Sequence, residues 1–254
     1  MSNKLLQGKL VVSIEQAVAA PYCSVKLADA GARVIKVERK DGDFARYYDN
    51  FVKGQSTYFV WLNRGKESFI ADIKNSQDRV FLKKIISRAD IFIQNLLPGT
   101  LKKYDLDSKT LRKRNKRLIT CDISGYGQQG AYADSKAYDL LIQAETGLCS
   151  LTGDEKNPGR VGVSVCDISC GLNAYALILE ALIKRENSGL GSAIEISLFD
   201  SLSEWMNVPF LQYIYTNRPP KRVGLAHPSI VPYGCFMTKD NVSILFSIQN
   251  EREW

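Results

Sequence analysis

The stretch Lys9-Leu-Val-Val-Ser-Ile14, followed by a helical segment from about Pro21 and then Arg33-Val-Ile-Lys-Val-Glu38, decides the fold. Its two ends are short apolar runs of strand length. Between them Val25, Leu27 and Ala28 carry the helix, which stops at Gly31. A glycine just past the last turn takes the left-handed backbone that other residues resist. Two strands joined by a helix of this length pair in parallel. Working outward, Ser68-Phe-Ile-Ala-Asp72 reads as a strand, and Ser76 to Arg88 as a helix with Val80, Phe81, Ile85 and Ile86 on one side. Ile91-Phe-Ile-Gln94 is the next strand, the basic segment after it is helical, and Leu118 to Ile123 is strand again. The expected fold class is α/β, a parallel sheet with helices on both faces in a Rossmann-like large domain.

Past Ile123 the alternation loosens. A helix is expected from Tyr138 to Ala144, and a long one from Gly171 to Arg185, apolar nearly all round and expected to be buried under the sheet. Ser192 to Leu198 alternates with period two, and Ser201-Leu-Ser-Glu204 has the spacing of a capping box opening another helix. Val242 to Ile248 reads as a strand after the turn Lys239-Asp-Asn241. Asn250-Glu-Arg-Glu-Trp254 is a helix start with no helix behind it, the expectation for the front part of a longer protein. The domain reading is 1–200 as the large domain, and 201–254 as a linker helix and the beginning of a smaller, truncated one.

Composition narrows the function classes. The 254 residues are 45% hydrophobic and 24% charged, which excludes disorder and low complexity. No uninterrupted apolar run approaches the roughly 18 residues of a membrane span, and the first residues carry no signal or transit pattern. A cytoplasmic protein with no membrane partner is expected. Six scattered cysteines with no CxxC pair, and the single histidine His227, make a metal site unexpected. They also leave no Ser-His-Asp or Cys-His set unless His227 serves alone. The net charge is +7, and eight basic residues against Asp105 and Asp107 lie between Leu101 and Arg117. Such a cluster suits a polyphosphate or a solvated helix face. With no aromatic interleaving or helix-turn-helix pattern, no nucleic-acid partner is expected.

Gly125-Tyr-Gly127-Gln-Gln-Gly130 is a literal GxGxxG after a strand. In dinucleotide folds the third glycine lies inside a helix whose N-terminus holds the pyrophosphate. Here no helical period begins until about Tyr138, so nicotinamide or flavin binding is not expected. Asp167 stands between the apolar run Arg160 to Val165 and the long helix. It has two readings: an N-cap accepting backbone N–H bonds, or a desolvated carboxylate able to attack an acyl carbon. Asn95-Leu-Leu-Pro98-Gly99 follows a strand's C-terminal end, where α/β proteins place ligands.

Taken together, ordered segments from Gly8 to Trp254 resemble the class III coenzyme A transferases of CaiB/BaiF type. That family includes carnitine and formyl-CoA transferases and the 2-methylacyl-CoA racemases. The resemblance rests on Ala19-Ala-Pro-Tyr22, Leu27 to Glu38, Gly42-Asp43 with Arg46, Asn63-Arg-Gly-Lys66 with Ser68, and Gln94-Asn-Leu-Leu-Pro-Gly99. It continues through Ser124-Gly-Tyr-Gly127, Tyr138-Asp-Leu-Leu-Ile-Gln-Ala144, Gly189 with Gly191, and Leu198-Phe-Asp200. It implies that Asp167 is the nucleophile that forms an aspartyl anhydride and then an aspartyl-CoA thioester. It also implies coenzyme A contacts at Val18, Ala19, Arg39, Ala71, Asp72, Ile73, Lys74, Asn95, Leu96, Leu97, Lys103, Tyr104, Lys136, Ala137, Tyr138 and Asp139. Coenzyme A and acyl-CoA would be substrates, with no permanently bound cofactor. The partners implied are an acyl-CoA, a small carboxylic acid and, at full length, a second copy in an interlocked homodimer. The racemases carry His beside the Asp where this chain has Tyr138, which favours a transferase. A racemase, or a truncated fragment that binds coenzyme A without catalysis, stays open.

Overall fold

The computed structural model describes residues 4–254. It divides into two compact units, one formed by the chain up to Asp139 with Ser164–Leu202, the other by Leu140–Val163 with Ser203–Trp254. In the first unit the chain runs β1 (Leu10–Ile14), α1 (Ala19–Asp29), β2 (Arg33–Glu38), α2 (Thr57–Asn63), β3 (Lys66–Ile70), α3 (Ser76–Ile86), β4 (Ile91–Gln94), α4 (Ser108–Arg114) and β5 (Ile119–Ser124). Next come α5 (Asp139–Glu145) and α6 (Leu148–Leu151), which belong to the second unit beyond Asp139. The chain then re-enters the first unit with α7 (Val165–Ser188), β6 (Ala193–Ser197) and α8 (Leu198–Ser203). All six strands pair in parallel, in the order β3-β2-β1-β4-β5-β6. This is the doubly wound arrangement expected from the alternating pattern. Between β1 and β4 the connections depart in opposite directions, leaving a crevice at the strands' C-terminal edge.

Both sheet faces are buried. Val12, Ile14, Val37 and Phe92 pack with Leu82, Ile86, Leu106, Leu111 and Leu118. Each such side chain contributes about 1.5–3 kcal/mol on leaving water. The helices α1 and α7 pack against one another, and α7 also meets β5 and β6. Their crossing is close. A Cβ on Gly171 would lie 2.7 Å from the Ala19 carbonyl oxygen and 3.1 Å from Tyr22. At the opposite edge the buried Arg185 donates to the carbonyls of Asp90 and Arg117 (3.2 and 3.0 Å) and to the Asp90 carboxylate at 2.9 Å.

Several expectations change. The long helix starts at Val165 rather than at Gly171. By length and composition α7 could cross a bilayer. In this fold Cys166, Cys170, Ala174, Ile178 and Leu182 are buried while Leu172, Leu177 and Ile183 are exposed. Burial is therefore one-sided, set by the packing on α1 and the strands, rather than all round. The box at Ser201 caps nothing. Ser201 lies inside α8 and its hydroxyl bonds back to the Ser197 carbonyl at 2.7 Å, a local alternative open to a mid-helix serine. The working box is one turn earlier: Ser197 Oγ accepts from the Asp200 N–H (2.9 Å) and donates to its carboxylate (2.6 Å). The basic segment forms a 3-10 turn, Leu101–Tyr104, and α4, separated by Asp105 at φ +54°. Its Arg112 and Arg117 donate to the carbonyls of Gly191 and Gly189.

The second unit holds most of α5, with α6, the 3-10 turn Glu204–Met206, α9 (Asn207–Thr216) and an antiparallel hairpin of β7 (Tyr233–Met237) and β8 (Ser243–Ser247). Arg222 ties it together by donating to the carbonyls of Ser150, Asp154 and Glu155. Asn250 caps a turn, accepting from the Arg252 N–H, rather than a helix.

The α1–α7 crossing gives the first prediction. Gly171→Ala forces a methyl against backbone, and overpacking of this kind costs about 1–3 kcal/mol. Urea unfolding should show a lower midpoint at unchanged slope; an unchanged midpoint would show that the crossing is loose.

Candidate active site

Asp167 sits in the first turn of α7, not at its N-cap. The N-cap residue Ser164 makes no side-chain capping bond. The turn is held instead from a distance: Asp139 Oδ1 accepts the Cys166 N–H at 2.8 Å. Asp167 itself is half-buried, and its carboxyl is pushed from the usual 3.8 up to about 7. Burial is the main cause and the Asp139 carboxylate beside it the second, while the Ala19 N–H at the start of α1 works the other way. The crossing at Gly171 sets this geometry, because Gly171 is one helical turn beyond Asp167 and lies over Ala19.

The loop leading into α1 is fixed by buried charge. Asp43, 4% exposed, accepts from the N–H groups of Ala17 (3.1 Å) and Ala45 (2.9 Å) and from Lys36 Nζ at 2.6 Å. Lys36 also donates to Asn63 at 2.8 Å. Glu15 pairs with Lys66 at 2.7 Å and accepts from Ser24; burial opposes its ionisation, but the Lys66 and Lys36 charges hold it below the usual range. Glu38 takes Arg46, Ser68 and the Asp43 N–H and falls to about 2 despite its burial. On the other side Asn95 clasps Gln16, accepting from its N–H (3.0 Å) and donating to its carbonyl (2.8 Å). Ala17, between these clamps, has φ +62°.

An aromatic ladder borders the site. Phe44, Tyr48, Tyr58, Trp61 and Tyr22 follow one another with ring centroids 5.4–6.2 Å apart. The Tyr58 hydroxyl lies 3.2 Å from Ser164 Oγ. Burial lifts the Tyr48 phenol to about 12, with Asp43, Asp167, Tyr138 and Tyr58 adding to the shift, so it stays a hydrogen-bond donor.

The residues assigned by resemblance all follow the C-terminal ends of strands, on loops or on the turns and helix starts that succeed them. Val18 and Ala19 follow β1, Arg39 follows β2, Ala71 to Lys74 follow β3, Asn95 to Leu97 with Lys103 and Tyr104 follow β4, and Lys136 to Asp139 follow β5. Arg79 joins two of these loops, donating to the carbonyls of Ile73 and Lys74 with its guanidinium over the Tyr104 ring. The helix α7 runs back before β6, so Asp167 at its start lies on the same edge. Arg39, Lys74, Leu97, Lys103, Lys136 and Tyr138 are exposed, whereas Val18, Ala19 and Ala71 are buried and offer only backbone. The GxGxxG glycines have other work. A Cβ on Gly125 would meet Ala137 Cβ at 2.2 Å, and no helix follows until Asp139. His227, in the second unit, uses Nδ1 to accept from the Ser229 and Ile230 N–H groups (both 3.1 Å). Among the described residues no cluster of three His, Cys, Asp or Glu could hold a metal.

The pattern of CoA-transferase family III matches residues 6–254. The chain belongs to CoA-transferase family III. It is 37% identical over 249 residues to the succinate–glutarate CoA-transferase of Agrobacterium fabrum, covering 94% of this chain and 62% of that one. It is 35% identical over 254 residues to the succinyl-CoA:glutarate CoA-transferase of Mus musculus, covering 99% and 58%. The acetyl-CoA:oxalate CoA-transferase of Acetobacter aceti is 34% identical over 241 residues, at 94% and 62%. The crystal structure of a CaiB/BaiF family protein from Brucella suis superposes with a TM-score of 0.90 at 35% identity, covering 99% of this chain and 68% of that one. The chain thus spans less than two thirds of the length of the curated relatives it matches.

The aromatic ladder and the Asp43 clamp have no contiguous signature in the sequence. Their members are spread over separate segments, and the only linear signal for the clamp was Gly42-Asp43 with Arg46.

The elevated carboxyl predicts a pH-dependent stability. Between the ordinary Asp range and about pH 7 the folded chain keeps a proton on Asp167 that the unfolded chain has released, so stability falls as pH rises through that window. Asp167→Asn has no proton to lose and escapes the fall. Its melting temperature should exceed the wild type's at pH 8, with the gain shrinking by pH 5; an equal difference at both pH values would contradict the shift.

Proposed function

We propose that the full-length protein moves coenzyme A from an acyl-CoA to a free carboxylic acid, with Asp167 as the nucleophile. The observation that carries this reading is a half-buried carboxyl with its pKa raised to about 7, at the sheet edge that also carries the segments assigned to coenzyme A by resemblance. Relatives named for succinate, glutarate and oxalate support a small carboxylic acid as acceptor.

Ionised Asp167 attacks the thioester carbonyl, the C–S bond breaks, and a mixed anhydride and the coenzyme A thiolate result. A thiol of pKa about 8.5 is a good leaving group. The thiolate then attacks the aspartyl carbonyl and expels the donor acid, leaving an aspartyl-CoA thioester. The acceptor carboxylate attacks that carbonyl and releases the thiolate again. The thiolate finally takes the acceptor's acyl group from the second anhydride and frees Asp167. Storing the acyl energy in a covalent bond needs no ATP while water is kept out. The Ala19 N–H is placed to stabilise negative charge on Asp167 or on the carbonyl oxygen derived from it. Arg39 and Lys103 suit the nucleotide phosphates.

A racemase needs a base beside the thioester's α-carbon. Tyr138 occupies the position where racemases carry His, and the Nδ1 of His227 is already engaged by two backbone N–H groups. Transfer is the better reading. In the same proposal residues 201–254 lead into a smaller domain, the complete protein pairs as an interlocked dimer, and it acts in the cytoplasm with no permanent cofactor.

Incubation with a panel of acyl-CoAs and hydroxylamine should leave a hydroxamate on the Asp167 peptide, detected by mass spectrometry. Its rate should rise with pH through about 7 as the carboxyl ionises, and Asp167→Ala should abolish it. A mark elsewhere, or one that survives the substitution, rejects the role.

A further inference from the structure

Among the buried polar groups near the site, Asp43 joins strand β2, through Lys36, to the loop that leads into α1. It is the N-cap of the 3-10 turn Phe44–Tyr47, yet one of its oxygens also reaches across to the N–H of Ala17, a non-glycine residue at φ +62°. For alanine the left-handed region costs roughly 1–2 kcal/mol and persists only where neighbours enforce it. Two residues on, Ala19 opens α1; its backbone lies against α7 one turn from Asp167, and its N–H favours the ionised carboxyl. The other oxygen of Asp43 is taken by Lys36, itself 1% exposed and held by Asn63, so the carboxylate cannot swing away. Asn95 fixes Gln16 from the other side but bonds neither Ala17 nor Ala19.

We infer that Asp43, anchored by Lys36, is a positioning residue: by clamping Ala17 in the left-handed conformation it aims the Ala19 N–H at the carboxyl of Asp167. The inference rests on Asp167 being the group that receives the acyl chain. Its content is mechanical. A buried ion pair, two residues away across a strained loop, sets the direction of the Ala19 N–H. The glycine that would fit the left-handed backbone at position 17 without support is absent, so the clamp is required. Removing the clamp should let Ala17 relax to an ordinary conformation and turn the Ala19 N–H away. Placing glycine at 17 should make the clamp dispensable.

The test follows the Ala19 amide resonance of the ¹⁵N-labelled full chain as pH passes through the Asp167 titration. In the wild type this amide should shift with a midpoint near 7, and Asp167→Asn should abolish the shift. Asp43→Ala should cut its amplitude several-fold. Asp43→Asn, which keeps an oxygen for the Ala17 N–H, should retain most of it. Adding Ala17→Gly to Asp43→Ala should restore it. If Asp43→Ala does not fold because Lys36 is left unpaired, Lys36→Met with Asp43→Ala removes both charges and serves as the parent for the glycine rescue. Equal loss in the Asn and Ala variants, or no rescue by glycine, would show that Asp43 merely stabilises the fold and would overturn the inference. The readout needs no turnover. Failure to form an acyl adduct on Asp167 would reject the functional proposal and leave the clamp's effect on Ala19 measurable in its own right.

Discussion

The close passage of α7 over the start of α1 is the constraint from which the rest of the site follows. Gly171 lets the two helices approach until the space of a methyl group is filled by the Ala19 carbonyl. One turn back along α7, that approach delivers Asp167 to the N-terminus of α1, where a backbone N–H is available and the carboxyl is partly desolvated. Desolvation raises the carboxyl and the donor partly restrains it, so the group is held near neutrality. A wider crossing would leave an ordinary surface aspartate.

The same edge of the molecule holds an unusual density of buried charge. Lys36–Asp43 and Lys66–Glu15 are both enclosed pairs, and Glu38 is enclosed against a half-exposed Arg46. Such pairs add little net stability because leaving water costs about as much as the attraction returns, and breaking one is far worse than never having it. Their value here is directional. Each anion accepts two or more bonds, and together they join the ends of β1 and β2, the start of β3 and the turn at Phe44–Tyr47. The loop at Gln16–Ala17 is thereby fixed although it contains no regular structure.

The order and type of the sheet elements were legible because apolar runs, spacing and Gly31 agree with one another. Boundaries moved where polar residues belong to strands. β3 begins at Lys66 and Glu67, whose charges pair with Glu15 and Arg33 rather than lying in a turn. Asp167 was visible as an acid near a helix start, but its role as an N-cap and its role as a buried carboxyl could not be separated from the linear pattern. What separates them is Asp139, 27 residues earlier, which takes over the capping of α7 and leaves Asp167 free. Likewise, the aromatic ladder and the Ala17 clamp are contacts between segments that only the folded sheet edge brings together. The serine box was read one turn late because Ser197 and Ser201 both carry an acid three residues on, and only Ser197 stands at the end of a strand.

The most direct measurement is the fate of oxygen. With an acceptor acid labelled in its carboxylate by ¹⁸O, a single turnover of the full-length protein by the proposed route would pass through an anhydride whose bridging oxygen came from the acceptor. Cleavage by the thiolate then leaves that oxygen on the protein. Mass spectrometry of the Asp167 peptide should show one ¹⁸O gained per turnover. Label that stays wholly in the small molecules, with Asp167 unlabelled, would contradict the account.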